Sequence, residues 1–528
     1  MAIHAPIVVI GAGIGGLAAA AALAHAGIPP LVLDAHVYPG GCAATFRHRG
    51  YWFDAGATLA SGFTADGPMA LLSRATGITD WPVVRHEPAL VVHLPDGTTV
   101  PRWSDERRWQ TYREAFGPSS LRFWRWQEAT AQPLWELAAR CIPWPPQRLQ
   151  DFLRLGVEGW QLIQRDWKRL GLLPDAFRTV AHHVPSENSR LRQFVDAQLL
   201  ITAQATSNRV NALYGAAALD FTNRGVVVVR GGVGTLATTL CDAIIRQGGR
   251  VMLRHEVTSI RQHSDEQFTL ITNRGLEVTT PCIIANLSPW SLARLLTPPP
   301  ATLHRIIRHP PEGWSAFVLY LGIDEDAVPN DFPLHHQILA DGTFGEGHSI
   351  FLSLSSSWDT ARAPAGQRAL TASTHTRWET WWHLRQHDPA GYAARKQAYT
   401  ERMLDGIARV LPTMRDAIRL LIPGTPVSFA RFTRRPFGWV GGFPQTRLGR
   451  AVPRRLAPNL WLVGDSTFPG QSIAAAALGG LAVAHTILQE GGLALNLSKQ
   501  VATGCTLDPE ETDVIGGTLV DSTRSSTY

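Results

Sequence analysis

Cysteine is scarce in this 528-residue chain and follows no pattern. Cys42, Cys141, Cys241, Cys282 and Cys505 form no C-x-x-C pair, so neither a disulfide framework nor a zinc site is indicated and a reducing, cytoplasmic setting is expected. Charge is thin as well: 17% of residues are Asp, Glu, Lys or Arg, against about 25% in an ordinary soluble domain. The net charge is +6, yet the chain holds no Lys/Arg block and no nucleic-acid motif, which sets nucleic acid aside as a partner. Residues 1–10 contain neither Lys nor Arg, where a signal peptide would need them.

What is present begins at residues 7–34, IVVIGAGIGGLAAAAALAHAGIPPLVLD. Gly11, Gly13 and Gly16 fit the G-x-G-x-x-G fingerprint of dinucleotide binding. Gly11 allows the tight turn after the strand, Gly13 leaves bare backbone for a pyrophosphate, and Gly16 lets the helix pack closely on the sheet. The helix N-terminus then offers free N–H groups and a partial positive charge to an anion. Asp34 follows about 20 residues on, where an acid binds ribose hydroxyls. The uncharged run 5–24 is long enough for a bilayer. Its early glycines and its change from β-branched residues to alanines read instead as strand, turn and helix.

The length suits several domains. Residues 76–224 are rich in Trp, Arg and Leu and are expected to be helical, including stretches at 120–142 and 175–184. From 224 a strand–turn–helix–strand pattern returns (VVVVRGGVGTLATTLCDAIIRQGGRVMLRHEVTSI), then a hairpin and the buried strand IIAN. Residues 301–425 mix strands and a helix, and 459–488 again read strand, loop, helix. The fold class expected is α/β: a Rossmann-like domain from 1–75, 225–300 and 426–491, a helical insert at 76–224, and an α+β substrate insert at 301–425. The polar tail 492–528 is expected to be disordered. Ligand sites favour the junctions of such pieces.

Asp465 ends the strand LWLVGD, just before an Ala-rich helix. Burying an unpaired carboxylate is costly, so Asp465 either bonds ligand hydroxyls or caps backbone amides in its loop. The helix that follows offers a second positive N-terminus.

GGCAATF (40–46), FDAGAT (53–58), GGVGTLATTL (231–240), GGRVMLRHEVTSI (248–260) and VGDSTFPGQSIAAAALGG (463–480), taken with the fingerprint, resemble the phytoene desaturase and carotenoid isomerase family of flavoproteins. RQFVDAQLLITAQATSNRVNALYGAAAL (192–219) and GDSTFPGQS (464–472) are most similar to its bacterial C-3',4' carotenoid desaturase branch. The resemblance implies FAD, with Gly11, Gly13 and Gly16 at the pyrophosphate and Asp34 at the adenosine ribose. Gly41 and Cys42 would run beside the phosphates, Gly56, Ala57 and Thr58 near the flavin, and the Val257 backbone at adenine. Asp465 would meet the ribityl-phosphate stretch, and Ile473 and Ala474 the flavin edge. Two departures stand out: the ribose acid is Asp rather than the commoner Glu, and position 42 is Cys where many relatives have Arg. The reaction implied removes two hydrogens from adjacent carbons of a polyene, by hydride transfer to flavin N5 and loss of a proton. A quinone or dioxygen would take the electrons.

Other candidates carry weaker chemistry. Arg192 and Asp196, four apart in a helix, suit an acid–base pair but better suit a surface ion pair. His182-His183 and His335-His336 lack metal-ligand spacing, and no metal is expected. Residues 431–445 fit a substrate channel or a solvated loop equally. Trp103, Trp109, Trp124, Trp126, Trp144, Trp160 and Trp167 lie among Arg and Leu. Core packing accounts for most of them, yet the composition also suits a helix in a lipid headgroup layer. Because a carotene enters from the bilayer, the helical insert is expected to meet the inner membrane peripherally, at Trp124 and Trp126. Three further readings share the fold: a carotenoid cis–trans isomerase using reduced FAD without net redox change, a flavin-lacking lipid escort, and an amine oxidase.

Overall fold

The computed structural model describes residues 2–263 and 267–491; the tail 492–528 lies outside the described residues. A six-stranded sheet runs Arg250–Met252, Leu31–Leu33, Val8–Ile10, Ile283–Ala285, Leu460–Leu462, Arg455–Ala457. Its first five strands are parallel and the last is antiparallel. Strands from three distant stretches of chain thus form one sheet. Most of its strands are short apolar runs buried on both faces, as parallel strands covered by helices must be.

The helix Ile14–His25 is buried from Ile14 through Ala24 and packs against Ile473–Glu490, Gly234–Arg246 and Pro68–Thr76. A β-carbon at Gly480 would collide with the Gly15 carbonyl, so the first and last helices meet backbone to backbone. Ile473–Glu490 is long and apolar enough to cross a bilayer, yet 72% of it is buried in this core.

A second sheet has eight strands: Ile418–Gly424, Trp314–Asp324, Gln367–Thr376, Ser349–Leu354, His335–Leu339, Leu90–His93 and Thr99–Arg102 in order, with Trp439–Val440 paired to Trp314–Asp324. Segment 76–224 is therefore not purely helical. Its hairpin of Leu90–His93 and Thr99–Arg102 extends this sheet, because Leu90, Val92 and Val100 fill a core shared with Phe123, Trp124 and Phe194. Its main helices are Arg107–Phe116, Ser120–Ala139, Leu149–Arg165, Ser189–Ala203 and Ala212–Leu219.

Two expectations about local structure need correction. Val227–Val229 pairs antiparallel with Val83–Arg85 rather than entering the parallel sheet; Arg250–Met252, after the intervening helix, takes the edge position beside Leu31–Leu33. Residues 175–184 form only the short 3-10 turns Pro174–Ala176 and Val180–His182. The carbonyls of Asp175, Ala176 and Arg178 accept from the Asn211 side chain, and the Val180 amide donates to the Val210 carbonyl. Backbone groups committed across the chain cannot close a helix.

Candidate active site

One cavity of about 1820 Å³ runs between the two sheets. That exceeds the roughly 300–1,000 Å³ of an ordinary small-molecule site and leaves room for two occupants. Twelve of the thirteen residues expected to bind a cofactor line it: Gly11, Gly13, Asp34, Gly41, Cys42, Gly56, Ala57, Thr58, Val257, Asp465, Ile473 and Ala474. Gly16 lies behind the wall. A β-carbon there would stand 2.6 Å from the Gly11 carbonyl oxygen, so Gly16 sets the helix against the turn, as its spacing predicts.

The turn is shaped by backbone. Gly11 adopts φ +96°, a conformation costly for any residue with a β-carbon. Asp34 accepts from the Ala12 amide at 2.6 Å and from the His36 amide at 2.6 Å. Two acceptor sites of the roughly four on a carboxylate thus hold the turn, and two remain. No side chain caps Gly13, and the first turn of Ile14–His25 carries no acid, so its opening amides keep their capacity for an anion. The structure refines the role of Gly13: a β-carbon there would collide with Asn286 Nδ2. The Asn286 amide lies between Gly13 and Gly464, joining the first and last stretches of the fold.

The neighbouring stretches follow in register. Gly40 donates its amide to the Ala12 carbonyl and forms a bridge with Gly13. Ala57 donates to the Cys42 carbonyl at 2.9 Å, and the Tyr320 hydroxyl donates to the Ala55 carbonyl at 2.6 Å. Thr58 Oγ1 accepts from Ser353 Oγ at 2.7 Å. His255 donates its amide to the Asp34 carbonyl, which brings Val257 to the ribose end. At the other end Ser472, at φ +109°, caps Ile473–Glu490 by accepting from the Ala475 amide.

Asp465 neither stands free nor caps backbone. Arg435 grips it with two hydrogen bonds, Nη1 to Oδ2 at 2.7 Å and Nη2 to Oδ1 at 2.9 Å, and Nη1 lies 3.6 Å from Cys42 Sγ. Burial alone would weaken the guanidinium's hold on its proton; Asp465 and the Cys42 thiol outweigh it and hold that group above its ordinary value. Residues 431–445 therefore line the cavity and are not a solvated loop.

The remaining wall is mainly apolar, with Leu134, Trp135, Ala138, Ile142, Trp144, Leu200 and Phe221 among it, and carries a few amides and His375. Burial holds His375 neutral, its value lowered to about 4, and its Nε2 lies 3.3 Å from Gln204 Nε2. The only acids in the wall, among the described residues, are Asp34, Glu256 and Asp465. All three belong to the nucleotide end.

The other candidates fall elsewhere. Asp196 is buried and accepts from the Ser207 amide at 2.6 Å, while Arg192 donates to Asn208; they form neither an acid–base pair at the cavity nor a surface ion pair. His335 bonds Ser353 and His336 bonds His93 at 2.9 Å. His183 stacks on Trp126 and meets Asp175. Asn286, Arg435 and His375 were missed. Asn286 had a sequence signal, since it ends the buried strand IIAN as Asp34 and Gly464 follow theirs.

The flavin containing amine oxidoreductase family matches residues 14–488. The chain is 27% identical over 515 residues to a chloroplastic prolycopene isomerase of Daucus carota, covering 92% of this chain and 80% of that protein. It is 24% identical over 508 residues to a lycopene-forming phytoene desaturase of a Paracoccus species, covering 92% and 97%. An oxidoreductase structure from Methanosarcina mazei shares the fold with a TM-score of 0.60 at 17% identity, covering 92% and 99%. The chain belongs to the flavin containing amine oxidoreductase family and is an FAD-dependent oxidoreductase.

Proposed function

We propose that this protein is a carotenoid desaturase, introducing a double bond into a carotene or a hydroxylated carotenoid. The observation that favours a polyene over an amine is the distribution of charge in the cavity, and the likeness to a phytoene desaturase over 97% of its length supports desaturation. Among the described residues all the wall acids lie at the nucleotide end, and none in the substrate half would receive the ammonium group of an amine. A long apolar polyene needs a dry, shaped wall and little else.

Bound FAD supplies the two-electron acceptor for removal of a hydride from an allylic carbon, after which the neighbouring proton is lost. The chain's own residues bind, orient and exclude water. The amides of residues 13–15 and Gly41 suit the diphosphate, Asp34 and Asp465 the sugar hydroxyls, and the helix end at Ile473 and Ala474 the ring edge where negative charge develops. Trp135, Trp144 and Phe221 keep the substrate half dry. The electrons pass on to a quinone or to dioxygen.

The surface supports peripheral association with the inner membrane, but not through the tryptophans expected. Trp124 is 1% exposed and stacks on Tyr112, and Trp126 stacks on His183. The apolar face instead belongs to Leu149–Arg165 and the turn Trp167–Leu172, where Phe152, Leu153, Val157, Trp160 and Trp167 are each more than half exposed. Arg148, Arg165 and Lys168 flank it, the pattern of a helix lying in an anionic headgroup layer. Leu155, on the same helix, lines the cavity, so a lipid-borne substrate would reach the cavity beside it.

Expression in cells that accumulate lycopene or a hydroxylated derivative tests the reaction. Desaturation yields a pigment lighter by two hydrogens with red-shifted absorption. An unchanged mass with a shifted cis–trans ratio would support the isomerase instead.

A further inference from the structure

Arg435 precedes the last strand of the nucleotide fold, and its guanidinium reaches across to Cys42 of the first stretch while holding Asp465 of its own. The side chain is 11% exposed. It grips Asp465 with both Nη atoms, approaches Cys42 Sγ, and lies 4.7 Å from the centre of the Trp439 ring. Its Nε is buried with no hydrogen-bond partner among the described residues. A planar fork held over an aromatic ring is a rigid device, and lysine could not reproduce it. Two other cations in the wall are engaged elsewhere, Arg434 with Glu256 and Arg224 with Asp220.

FAD brings a diphosphate, and Cys42 at the expected phosphate stretch carries no positive charge. The Arg435 grip uses two of the roughly four acceptor sites on Asp465 and fixes where the other two point. We propose that Arg435 is a cofactor-binding residue, which orients Asp465 toward the ribityl hydroxyls and supplies at Cys42 the positive charge that faces the diphosphate. The proposal rests on FAD-dependence and holds for a desaturase and an isomerase alike.

The alternative is a latch that merely ties 431–445 to the nucleotide fold. FAD binding to the refilled apoprotein separates the two, measured by flavin fluorescence at several salt concentrations beside the melting temperature of the apoprotein. R435Q is expected to weaken FAD binding by about tenfold or more, the size of one or two charge-assisted hydrogen bonds, and to flatten its salt dependence. Returning a cation from the other side, in C42R/R435Q, should recover most of that affinity. R435K, which keeps the charge and loses the fork, should retain the salt dependence with intermediate affinity, and it serves where R435Q fails to fold. A latch predicts the reverse: a lower apoprotein melting temperature, undiminished FAD affinity in R435K or R435Q, and no rescue by C42R. That result would overturn the proposal.

Discussion

The two ends of the cavity are built by different means. At the nucleotide end the wall is largely backbone: a glycine at φ +96°, a second glycine pressed on Asn286, and helix amides without caps. At the substrate end it is made of large side chains carried by a helical layer and the eight-stranded sheet. A backbone-defined site accepts one ligand geometry, whereas a wall of side chains can be reshaped residue by residue. Within one fold, the first end is suited to holding a constant cofactor and the second to changing substrates.

Gly13→Val gives the largest expected effect on that contrast. Its β-carbon would strike the Asn286 amide, so FAD affinity should fall by about 100-fold or more, equivalent to about 2.7 kcal/mol. Flavin content after purification reads this directly, and undiminished content in a folded variant would break the comparison.

Acid should act on the large sheet that carries part of the substrate end. His93, His336 and His375 are lowered to about 4 and His335 to about 3, each by burial above all, and all four lie on strands of the large sheet. Their folded values lie below the unfolded value near 6.5, so between these limits the unfolded chain binds more protons. The stability of the fold is then whole above about pH 6.5 and is lost as pH falls toward 4. Each histidine contributes of order 1–3 kcal/mol to that loss. Melting temperature against pH, for the wild type and for H375Q, checks this: the variant should show a shallower slope over that window.

The membrane face comes next in size. Replacing Phe152 and Trp160 by Ser should lower liposome partition by about tenfold or more, since each buried aromatic contributes roughly 1.5–3 kcal/mol. Flotation with anionic vesicles measures it, and turnover of detergent-dispersed substrate should persist. Arg192→Ala should do least, within about 0.5 kcal/mol of wild-type stability and with unchanged turnover. A large loss of rate would return Arg192 to the chemistry.

The contrast between the ends also explains what the sequence made legible. Gly11, Gly16 and Asp34 are read from local spacing, because strand, turn and helix lie within 28 residues and each glycine has a backbone reason. The same grammar found Asp465 at a strand end. It could not find Arg435, whose partners lie 30 and 393 positions away, nor the joining role of Asn286. Exposure was also hidden. Trp124 and Trp160 share a composition, yet one stacks in a core and the other faces outward, because the partner that covers Trp124 comes from a different helix. The pair Arg192 and Asp196 had ideal spacing, but the Ser207 amide bound the acid first.

The most direct test is an anaerobic titration of the FAD-loaded protein with a carotenoid that still carries a saturated bond beside its polyene, following flavin absorbance and pigment mass together. Bleaching of one flavin for each pigment made lighter by two hydrogens is the predicted result. A flavin that stays oxidised with the carotenoid but is bleached by a primary amine would contradict the account.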